Sequence, residues 1–427
     1  MSAGQHAHVA PAPRTGPAAR VERLRVAVDA TPLLGHRTGV GAFCSGLLGA
    51  LGGSPELDVR AYAVTWRGRE LLAPMLPPGV TRLGGIMPAR PLHALWRHGP
   101  WPPIEWWAGD VDVVHGTNYV VPPARHAARV VSVHDLTMVR FPELCEPATL
   151  RFPALMRRSI AAGAWVQVPS HFVAGEVVEH LGADPARVAV VPYGVPPVAR
   201  ERLSGPAVPG GQSRRGLPAP PLPDGVTRYV LALGTIEPRK NLPELVAAFD
   251  SVAADVPGVA LVVAGADGWG ADALAGALAN ARHRERILRL GPVDDATRAS
   301  LLEGAALFAY PSLYEGFGFP PLEAMRMGVP VVATSAGSLP EVLGDAAALV
   351  PVGDTAALAA TLARLLDAGG GEGERLALAE RGVRRCALFT WERTAQAMVD
   401  LYRRAHGEDL GGTDDGDGGG TGAHADD

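Results

Sequence analysis

The sequence predicts an α/β protein with two doubly wound, Rossmann-like parallel-sheet domains that face a common cleft. Short runs of branched aliphatic residues recur along the chain without polar alternation, and helical segments separate them. A proline-rich stretch interrupts this alternation once, near the middle of the chain. With 427 residues, of which 47% are hydrophobic, the chain is long enough to bury two separate cores.

The N-terminal half contains the first set of strand-like runs, which we assign to a domain over residues 23–195. Because these runs are apolar throughout, they are typical of a parallel sheet covered on both faces. Helices are expected near residues 42–51 and 171–181. The runs lie at residues 26–28, 111–114, 130–133, 166–168 and 188–191.

Residues 196–225 contain eight prolines among several glycines, which predicts a semi-rigid linker. The alternation then resumes and predicts a second domain over residues 226–390. Ligands of such folds bind at the carboxyl ends of the strands, so the cleft between the domains is the expected site. The second set of runs lies at residues 229–233, 261–264, 287–290, 307–310, 329–333 and 349–350.

The two ends of the chain differ in composition from its body. Residues 1–22 are rich in Ala, Pro and Gly, and residues 407–427 are rich in Gly and Asp, so both are predicted to be disordered tails. Residues 405–427 carry seven acidic residues and no lysine or arginine, which accounts for the formal net charge of -5. The body is therefore close to neutral, and this argues against a nucleic-acid partner.

The cysteines and the hydropathy pattern favour a cytoplasmic protein. The three cysteines, Cys44, Cys145 and Cys386, lie far apart and have neither disulfide-like nor metal-like spacing. No stretch reaches the roughly 18 apolar residues of a membrane helix. The N-terminal residues lack the apolar segment of a signal peptide.

Lys240 is the only lysine among 39 lysines and arginines. A lysine in a chain that otherwise uses arginine suggests a position that needs a compact point charge. It follows Arg239 in a turn that begins at Gly234, directly after the run at residues 229–233. A strand, a glycine turn and two cations before a helix predict a phosphate-binding site, with an ordinary surface lysine as the alternative.

A second polar and glycine-rich segment follows the run that ends at Tyr310, where residues 310–324 read YPSLYEGFGFPPLEA. Glu315 lies in the loop, and Glu323 is expected in the first turn of a helix that begins near Pro320 or Pro321. Two carboxylates around a glycine loop can accept hydrogen bonds from sugar hydroxyls while free N–H groups contact oxyanions. The alternative is a solvated Glu315 and a helix-capping Glu323.

As a set, these motifs resemble those of the retaining glycosyltransferases of family 4, over roughly residues 24–405. The E-x7-E spacing of Glu315 and Glu323 and the adjacent Arg239 and Lys240 carry the resemblance. It implies the GT-B fold, a nucleotide-sugar donor bound mainly by the C-terminal domain, and no metal or other cofactor. Further matching segments are Arg37-Thr38-Gly39-Val40-Gly41, Val133-His134-Asp135-Leu136, Val191-Pro192-Tyr193-Gly194-Val195 and Gly337-Ser338-Leu339-Pro340-Glu341-Val342.

By this resemblance, Arg239 and Lys240 would bind the donor diphosphate, and Glu323 would bind the ribose hydroxyls. The helix at residues 391–406 would cross back onto the first domain. Glu315 would hold the donor sugar together with the backbone amides of Gly316, Phe317, Gly318 and Phe319. The other implied site residues are His134 beside the donor sugar and acceptor, Gly39 and Gly41 closing on the phosphates, Gly234 in the phosphate turn, and Pro292 and Val293 at the base.

The motifs are most similar to those of a branch rich in bacterial mannosyltransferases, which favours GDP-mannose as the donor and a glycan or lipid-linked acceptor. A UDP- or dTDP-sugar donor stays open. Two further alternatives are a nucleotide-sugar epimerase of the same fold and a non-catalytic nucleotide-sugar-binding protein.

Two segments have two interpretations each. Asp110-Val111-Asp112 looks like a metal-binding D-x-D motif, but it precedes a buried run, so a structural role is favoured. Residues 96–107 contain four of the eight tryptophans beside Arg97. Packing of this segment on the sheet is favoured over peripheral contact with the inner face of a membrane.

Overall fold

The computed structural model describes residues 23–35, 39–195 and 222–411. The predicted tail at residues 1–22, most of the linker and residues 412–427 lie outside the described residues. The domain bounds proposed from the sequence therefore remain a proposal at the linker.

The first sheet contains seven parallel strands in the order β3-β2-β1-β4-β5-β6-β7. Its strands are β1 (Leu24–Asp29), β2 (Leu57–Tyr62), β3 (Val80–Arg82), β4 (Val113–Gly116), β5 (Ala128–Ser132), β6 (Trp165–Val168) and β7 (Val188–Val190). The helices around it are α1 (Gly39–Leu51), α2 (Ala89–His98), α3 (Glu105–Ala108), α4 (Thr137–Arg140), α5 (Phe152–Ala161) and α6 (His171–Leu181).

The second sheet contains six parallel strands in the order β10-β9-β8-β11-β12-β13. Its strands are β8 (Arg228–Leu233), β9 (Val259–Ala264), β10 (Ile287–Gly291), β11 (Leu307–Tyr310), β12 (Val331–Thr334) and β13 (Ala347–Val350). The helices that follow in the chain are α7 (Leu242–Val252), α8 (Ala271–Asn280), α9 (Asp295–Gly304), α10 (Phe319–Arg326), α11 (Leu339–Leu343), α12 (Thr355–Leu366), α13 (Gly371–Cys386) and α14 (Trp391–Gly411).

The strands are buried because helices cover both faces of each sheet. In β1, Val26 and Val28 pack with Phe43 of α1, whereas Ala27 belongs to the core on the opposite face. Every residue of β9 is buried. This double covering explains the continuous apolar runs and confirms the predicted α/β class. Both sheets direct their carboxyl ends into loops that carry the polar and glycine-rich motifs.

The C-terminal helix α14 packs on the N-terminal domain. Its Tyr402 hydroxyl lies 2.8 Å from His115 Nδ1, and Thr394 Oγ1 donates to the carbonyl of Pro192 at 2.8 Å. Trp391 fits against Gly46 and Gly194, where a Cβ atom would overlap its ring. The helix extends to Gly411, so the first residues of the predicted tail at 407–427 are helical.

Two strands were absent from the sequence prediction, and helix α1 begins earlier than predicted. Strand β2 alternates between buried and half-buried residues and includes Asp58 and Arg60, while β3 is a short edge strand. Helix α1 begins at Gly39 rather than near residue 42, so Gly39 and Gly41 lie in its first turn and not in a loop. In the described part of the chain, no helix has the length and apolar character needed to cross a membrane.

Candidate active site

Lys240 lies at the carboxyl end of β8, in a short 3-10 turn from Pro238 to Lys240 that leads into α7. Its Nζ atom is 2.7 Å from Glu315 Oε1 and 2.5 Å from the Tyr310 hydroxyl. The ammonium also lies 4.6 Å from the centre of the Tyr310 ring. Gly234 opens the turn with φ +144, and a Cβ there would come within 3.8 Å of the Lys240 side chain.

Arg239 contacts the other oxygen of the same carboxylate. Its Nη1 atom lies 2.8 Å from Glu315 Oε2 and donates to the main-chain carbonyl of Tyr314 at 2.9 Å. Its Nη2 atom lies 3.4 Å from Glu237. The side chain of Glu315 is only 7% exposed, so its carboxylate is enclosed between the two cations.

The protonation states follow from these contacts. Burial alone would raise the pKa of Glu315, but Arg239 and Lys240 outweigh it and hold the pKa at about 2. Burial lowers the pKa of Lys240, and its ion pair with Glu315 opposes that shift. Burial likewise disfavours the charge on Arg239, but neighbouring carboxylates raise its pKa above the ordinary value. We therefore treat all three groups as ionised.

The glycine loop after Glu315 fits closely against both domains. A Cβ at Gly316 would lie 1.9 Å from the main-chain oxygen of His134, so only glycine allows this approach of the two backbones. Gly318 has φ +99 and precedes α10, which begins at Phe319. Phe317 is buried and contacts the ring of Tyr193 from the N-terminal domain, 5.0 Å away.

Glu323 is the fifth residue of α10, which places it in the second turn rather than the predicted first turn. The expected helix start was one or two residues too late, because the loop geometry at Gly318 allows Phe319 to begin the helix. Glu323 is buried, and Arg298 of α9 donates from Nε to Glu323 Oε2 at 2.9 Å.

His134 follows β5, and both of its ring nitrogens have partners. Nε2 lies 2.8 Å from the carbonyl of Thr117, which can only accept, so Nε2 carries the proton. Nδ1 then accepts from the Tyr193 hydroxyl, 2.7 Å away. Burial lowers the pKa of His134 to about 4, which keeps the ring neutral. Its main-chain carbonyl, rather than its imidazole, contacts the Gly316 loop.

The remaining predicted donor residues lie around this centre. Gly39 begins α1, and a Cβ there would lie 3.8 Å from the ring of Phe319 across the cleft. Gly41 is buried in the same turn. Pro292 and Val293 connect β10 to α9, the helix whose Arg298 reaches Glu323. Helix α9 thus connects the two residues predicted to contact the base with Arg298, which contacts the residue predicted to bind the ribose.

Several site residues were not found from the sequence. Tyr310 and Tyr314 both precede Glu315 within residues 310–324, but a tyrosine in a sequence does not indicate such a role until its contacts are known. Arg298 lies outside every motif, so only the fold could pair it with Glu323. Asp110 and Asp112 both accept from Arg25 at the start of β1, which supports the structural interpretation of this segment.

Comparisons with known proteins match both halves of the chain. Residues 39–198 match the family described as "Glycosyltransferase Family 4". Residues 227–368 match the family described as "Glycosyl transferases group 1". The two matches include six of the seven strands of the first sheet, all strands of the second, and the segments that contain His134, Lys240 and Glu315.

Two curated relatives extend the match. O-antigen chain mannosyltransferase B of Escherichia coli is 28% identical over 293 residues, which is 68% of this chain and 74% of that protein. D-inositol 3-phosphate glycosyltransferase of Segniliparus rotundus is 30% identical over 331 residues, which is 73% of this chain and 68% of that protein.

A solved structure shares the fold. Sucrose-phosphate synthase of Thermosynechococcus elongatus superposes with a TM-score of 0.66 at 21% sequence identity, over 90% of this chain and all of that one. Its likeness concerns the arrangement of the two sheets. The chain belongs to glycosyltransferase family 4, and its two facing α/β domains have the GT-B fold.

Proposed function

We propose that this glycosyltransferase transfers mannose from GDP-mannose, with retention of configuration, to a glycan or lipid-linked acceptor. The observation that carries the proposal is the buried Glu315 carboxylate, shared by Arg239 and Lys240 at the carboxyl ends of β8 and β11. This arrangement places two cations, which can bind a diphosphate, beside a carboxylate, which can accept hydrogen bonds from sugar hydroxyls, and a sugar diphosphate requires both. The name of the first relative supports mannose as the sugar.

The role proposed for Arg239 and Lys240 is to bind the donor diphosphate. Both cations are held within a few ångströms of each other by Glu315, so no large rearrangement is needed to bring them onto one anion. Charge builds up on the leaving nucleoside diphosphate as the glycosidic bond breaks, and cations already in place stabilise it. Glu315, once its cations contact phosphate, is free to accept from hydroxyls of the donor sugar.

Retention is proposed to proceed by attack from the same face as the leaving group. In the described residues, both carboxylates of the E-x7-E motif are paired with basic side chains, so neither is presented as a nucleophile. His134 is neutral, but both of its ring nitrogens already have hydrogen-bond partners, so it is equally unsuited to remove a proton. We therefore propose that a donor phosphate oxygen accepts the proton of the acceptor hydroxyl.

The other predicted roles remain proposals. Glu323 would accept from the ribose hydroxyls, with Arg298 fixing its orientation. Pro292 and Val293 would contact the base, and Gly234 would let the phosphate approach the backbone. Gly39 and Gly41, now in the first turn of α1, would direct main-chain N–H groups toward the phosphates.

Membrane contact stays a proposal for the segment at residues 96–107. Trp96 is buried and donates to the carbonyl of Pro102 at 3.0 Å, which supports packing for this one side chain. Trp101 and Trp106 are 52% and 55% exposed and contact each other edge-to-face. A lipid-linked acceptor would bring such a surface close to lipid headgroups.

The test is turnover of GDP-mannose, UDP-glucose and dTDP-glucose, each with and without a panel of glycan acceptors. We expect release of GDP and a product of unchanged anomeric configuration, measured by proton NMR. Conversion of the donor to its epimer would identify an epimerase. Binding without release of nucleoside diphosphate would identify a non-catalytic protein. Turnover of UDP- or dTDP-sugars alone would keep the reaction and overturn the donor.

A further inference from the structure

Tyr314 belongs to the loop after β11, but its side chain lies in a pocket of the N-terminal domain. The residue is only 3% exposed. Its hydroxyl accepts from the backbone N–H of Leu136 at 2.9 Å and donates to the carboxylate of Glu176 on α6. Its ring lies 5.5 Å from that of Phe141 and 5.9 Å from that of Phe172, measured between centroids.

The main chain of Tyr314 belongs to the donor site. Its carbonyl accepts from Arg239 Nη1 at 2.9 Å, and the next residue is Glu315. The loop is fastened again two residues later, where Ser170 Oγ donates to the carbonyl of Gly316 at 3.0 Å. Tyr314 therefore contacts the N-terminal domain through its side chain and Arg239 through its main-chain carbonyl.

We propose that Tyr314 is a positioning residue for sugar transfer: by docking on Leu136 and Glu176 it fixes Glu315 and Arg239 in the geometry that the reaction needs. The proposal rests on the proposed function, because it concerns the same site. It adds a specific consequence, which is that one hydroxyl contributes both to contact between the domains and to the arrangement of the catalytic groups.

The pocket has a strong requirement for this hydroxyl. Glu176 is buried, and its nearest cation in the described contacts is Arg140 at 3.8 Å. Burial raises the pKa of Glu176, while Tyr314 and Arg140 oppose that shift. When the domains separate, the Tyr314 hydroxyl exchanges both partners for water, and hydrogen bonds formed inside the protein are favourable on balance relative to those with water. The contact thus favours the closed arrangement.

A second contact between the domains, also on α6, allows the effect of domain contact to be separated from the effect on the geometry of the site. The Glu341 carboxylate accepts from the N–H groups of His171 and Phe172, at 2.9 and 3.0 Å. Glu341 also joins the two domains, but neither of these bonds involves Glu315 or Arg239. Its replacement should weaken domain contact without disturbing the position of those two groups.

The main variant is Tyr314→Phe, with Tyr229→Phe as the matched control. The Tyr229 hydroxyl donates to the carbonyl of Leu301 at 2.7 Å inside the C-terminal domain, so the control loses one buried hydroxyl away from the cleft. Tyr314→Phe removes both hydrogen bonds of the hydroxyl, and we expect it to lower kcat by at least about tenfold, while the Kd for free GDP changes by less than about twofold. Donor hydrolysis should rise relative to transfer, because a loosely closed site admits water.

Glu176→Gln supplies a conservative comparison, since an amide oxygen still accepts from the Tyr314 hydroxyl. We expect its kcat to lie within about threefold of the unmodified protein. Combining it with Tyr314→Phe removes the orphaned buried carboxylate, so the double variant remains measurable if Tyr314→Phe alone folds poorly. Glu341→Ala should raise KM more than it lowers kcat.

Three results would overturn the proposal. A kcat for Tyr314→Phe equal to that of Tyr229→Phe would remove any positioning role. A parallel loss of GDP affinity, thermal stability and kcat would make Tyr314 a structural residue only. Small-angle X-ray scattering with GDP present tests docking without turnover: Tyr314→Phe should increase the radius of gyration, and an unchanged radius would contradict docking. An inactive unmodified protein would instead refute the proposed function and leave this scattering test valid.

Discussion

Glu315 contacts two cations, and these contacts fix the charges at the candidate site. Each carboxylate oxygen lies within 2.8 Å of a basic nitrogen, one from Arg239 and one from Lys240. A buried ion pair of this kind is costly to break by removing one partner, because the other charge is left without compensation. The carboxylate therefore holds the two cations side by side.

Replacing Lys240 by Arg should impair the enzyme although the charge is kept. The ammonium donates both to Glu315 and to the hydroxyl of Tyr310, and a planar guanidinium on a stiffer side chain would not place its donors in the same way. We expect kcat/KM to fall by at least about tenfold, since a misplaced phosphate contact lowers the rate steeply. Arg282→Lys, an exposed cation swap on the same domain, is the control and should leave kcat/KM unchanged. Equal activity of Lys240→Arg would contradict the need for an ammonium.

Replacing Gly316 by Ala should block the close approach of the domains. The added methyl group would lie 1.9 Å from the carbonyl oxygen of His134, so the loop must move. We expect kcat to fall about a hundredfold, as a displacement near 1 Å can produce. Gly276→Ala in α8, where a Cβ meets no atom within 4 Å, is the control. Kinetic assays of both variants that gave the same kcat would refute the close contact.

At the scale of elements, the sheets and the last helix place these groups. Parallel strands direct their carboxyl ends to one edge, so the turn after β8 and the loop after β11 meet there. Helix α14 begins beside Gly194 and reaches the sheet of the N-terminal domain, where Tyr402 contacts the buried His115. The helix therefore ties the end of the chain to the domain in which the chain begins.

Tyr402→Phe tests how firmly α14 is attached. The change removes the partner of a buried ring nitrogen of His115, so we expect a loss of about 1–3 kcal/mol in the free energy of unfolding. Urea denaturation followed by circular dichroism measures the loss. Gln396→Ala, an exposed change on the same helix, should shift stability by less than about 0.5 kcal/mol. A loss no greater than that of Gln396→Ala would show that this hydrogen bond contributes little.

The sequence predicted the second sheet better than the first. Strands such as β9 are continuous aliphatic runs, because they are buried on both faces, and such runs are visible without a structure. Strand β2 was missed since Asp58 and Arg60 interrupt its apolar pattern at half-buried positions. Both strands lie second from an edge of their sheets, so it is the burial of their side chains, and not their position in the sheet, that makes one visible in the sequence and hides the other.

The motifs of the candidate site were predicted from the sequence, whereas the contacts between their side chains were not. Spacing along the chain put Lys240 and Glu315 at strand ends, and the parallel fold then explains why they meet. The pairing of Arg298 with Glu323 and the docking of Tyr314 on Glu176 depend on how helices pack around the sheets. Long-range contacts of this kind have no periodic or local signal in one sequence.

At the scale of the whole molecule, buried titratable groups in the N-terminal domain link folding to pH. Burial lowers the pKa of His115 to about 3 and that of His134 to about 4, so both stay neutral in the fold but protonate near pH 6.5 when unfolded. Their contribution is present above pH 6.5 and is lost as the pH falls toward those values. Asp29 acts in the opposite direction, because burial raises its pKa to about 6.

We therefore expect the protein to become less stable on mild acidification. Around pH 5 the unfolded chain binds protons on His93, His115 and His134 that the fold excludes, because burial lowers the pKa of His93 to about 4 as well. The fold retains one proton on Asp29 that the unfolded chain releases. For these four groups the net difference of two protons predicts that the free energy of unfolding falls by about 2.7 kcal/mol per pH unit between pH 5.5 and 4.5. Urea unfolding at several pH values measures the slope. Stability that stayed constant or rose on acidification would contradict the neutral buried histidines.

The central claim, that Arg239 and Lys240 bind the diphosphate of GDP-mannose, is tested most directly by thermal unfolding with GDP, UDP and dTDP. A nucleotide at 100 times its Kd should stabilise the fold by about 2.7 kcal/mol. We predict a rise in Tm with GDP, little change with the other two, and loss of the GDP effect in Lys240→Ala. Stabilisation of Lys240→Ala equal to that of the unmodified protein, or no response to any nucleotide, would contradict the claim.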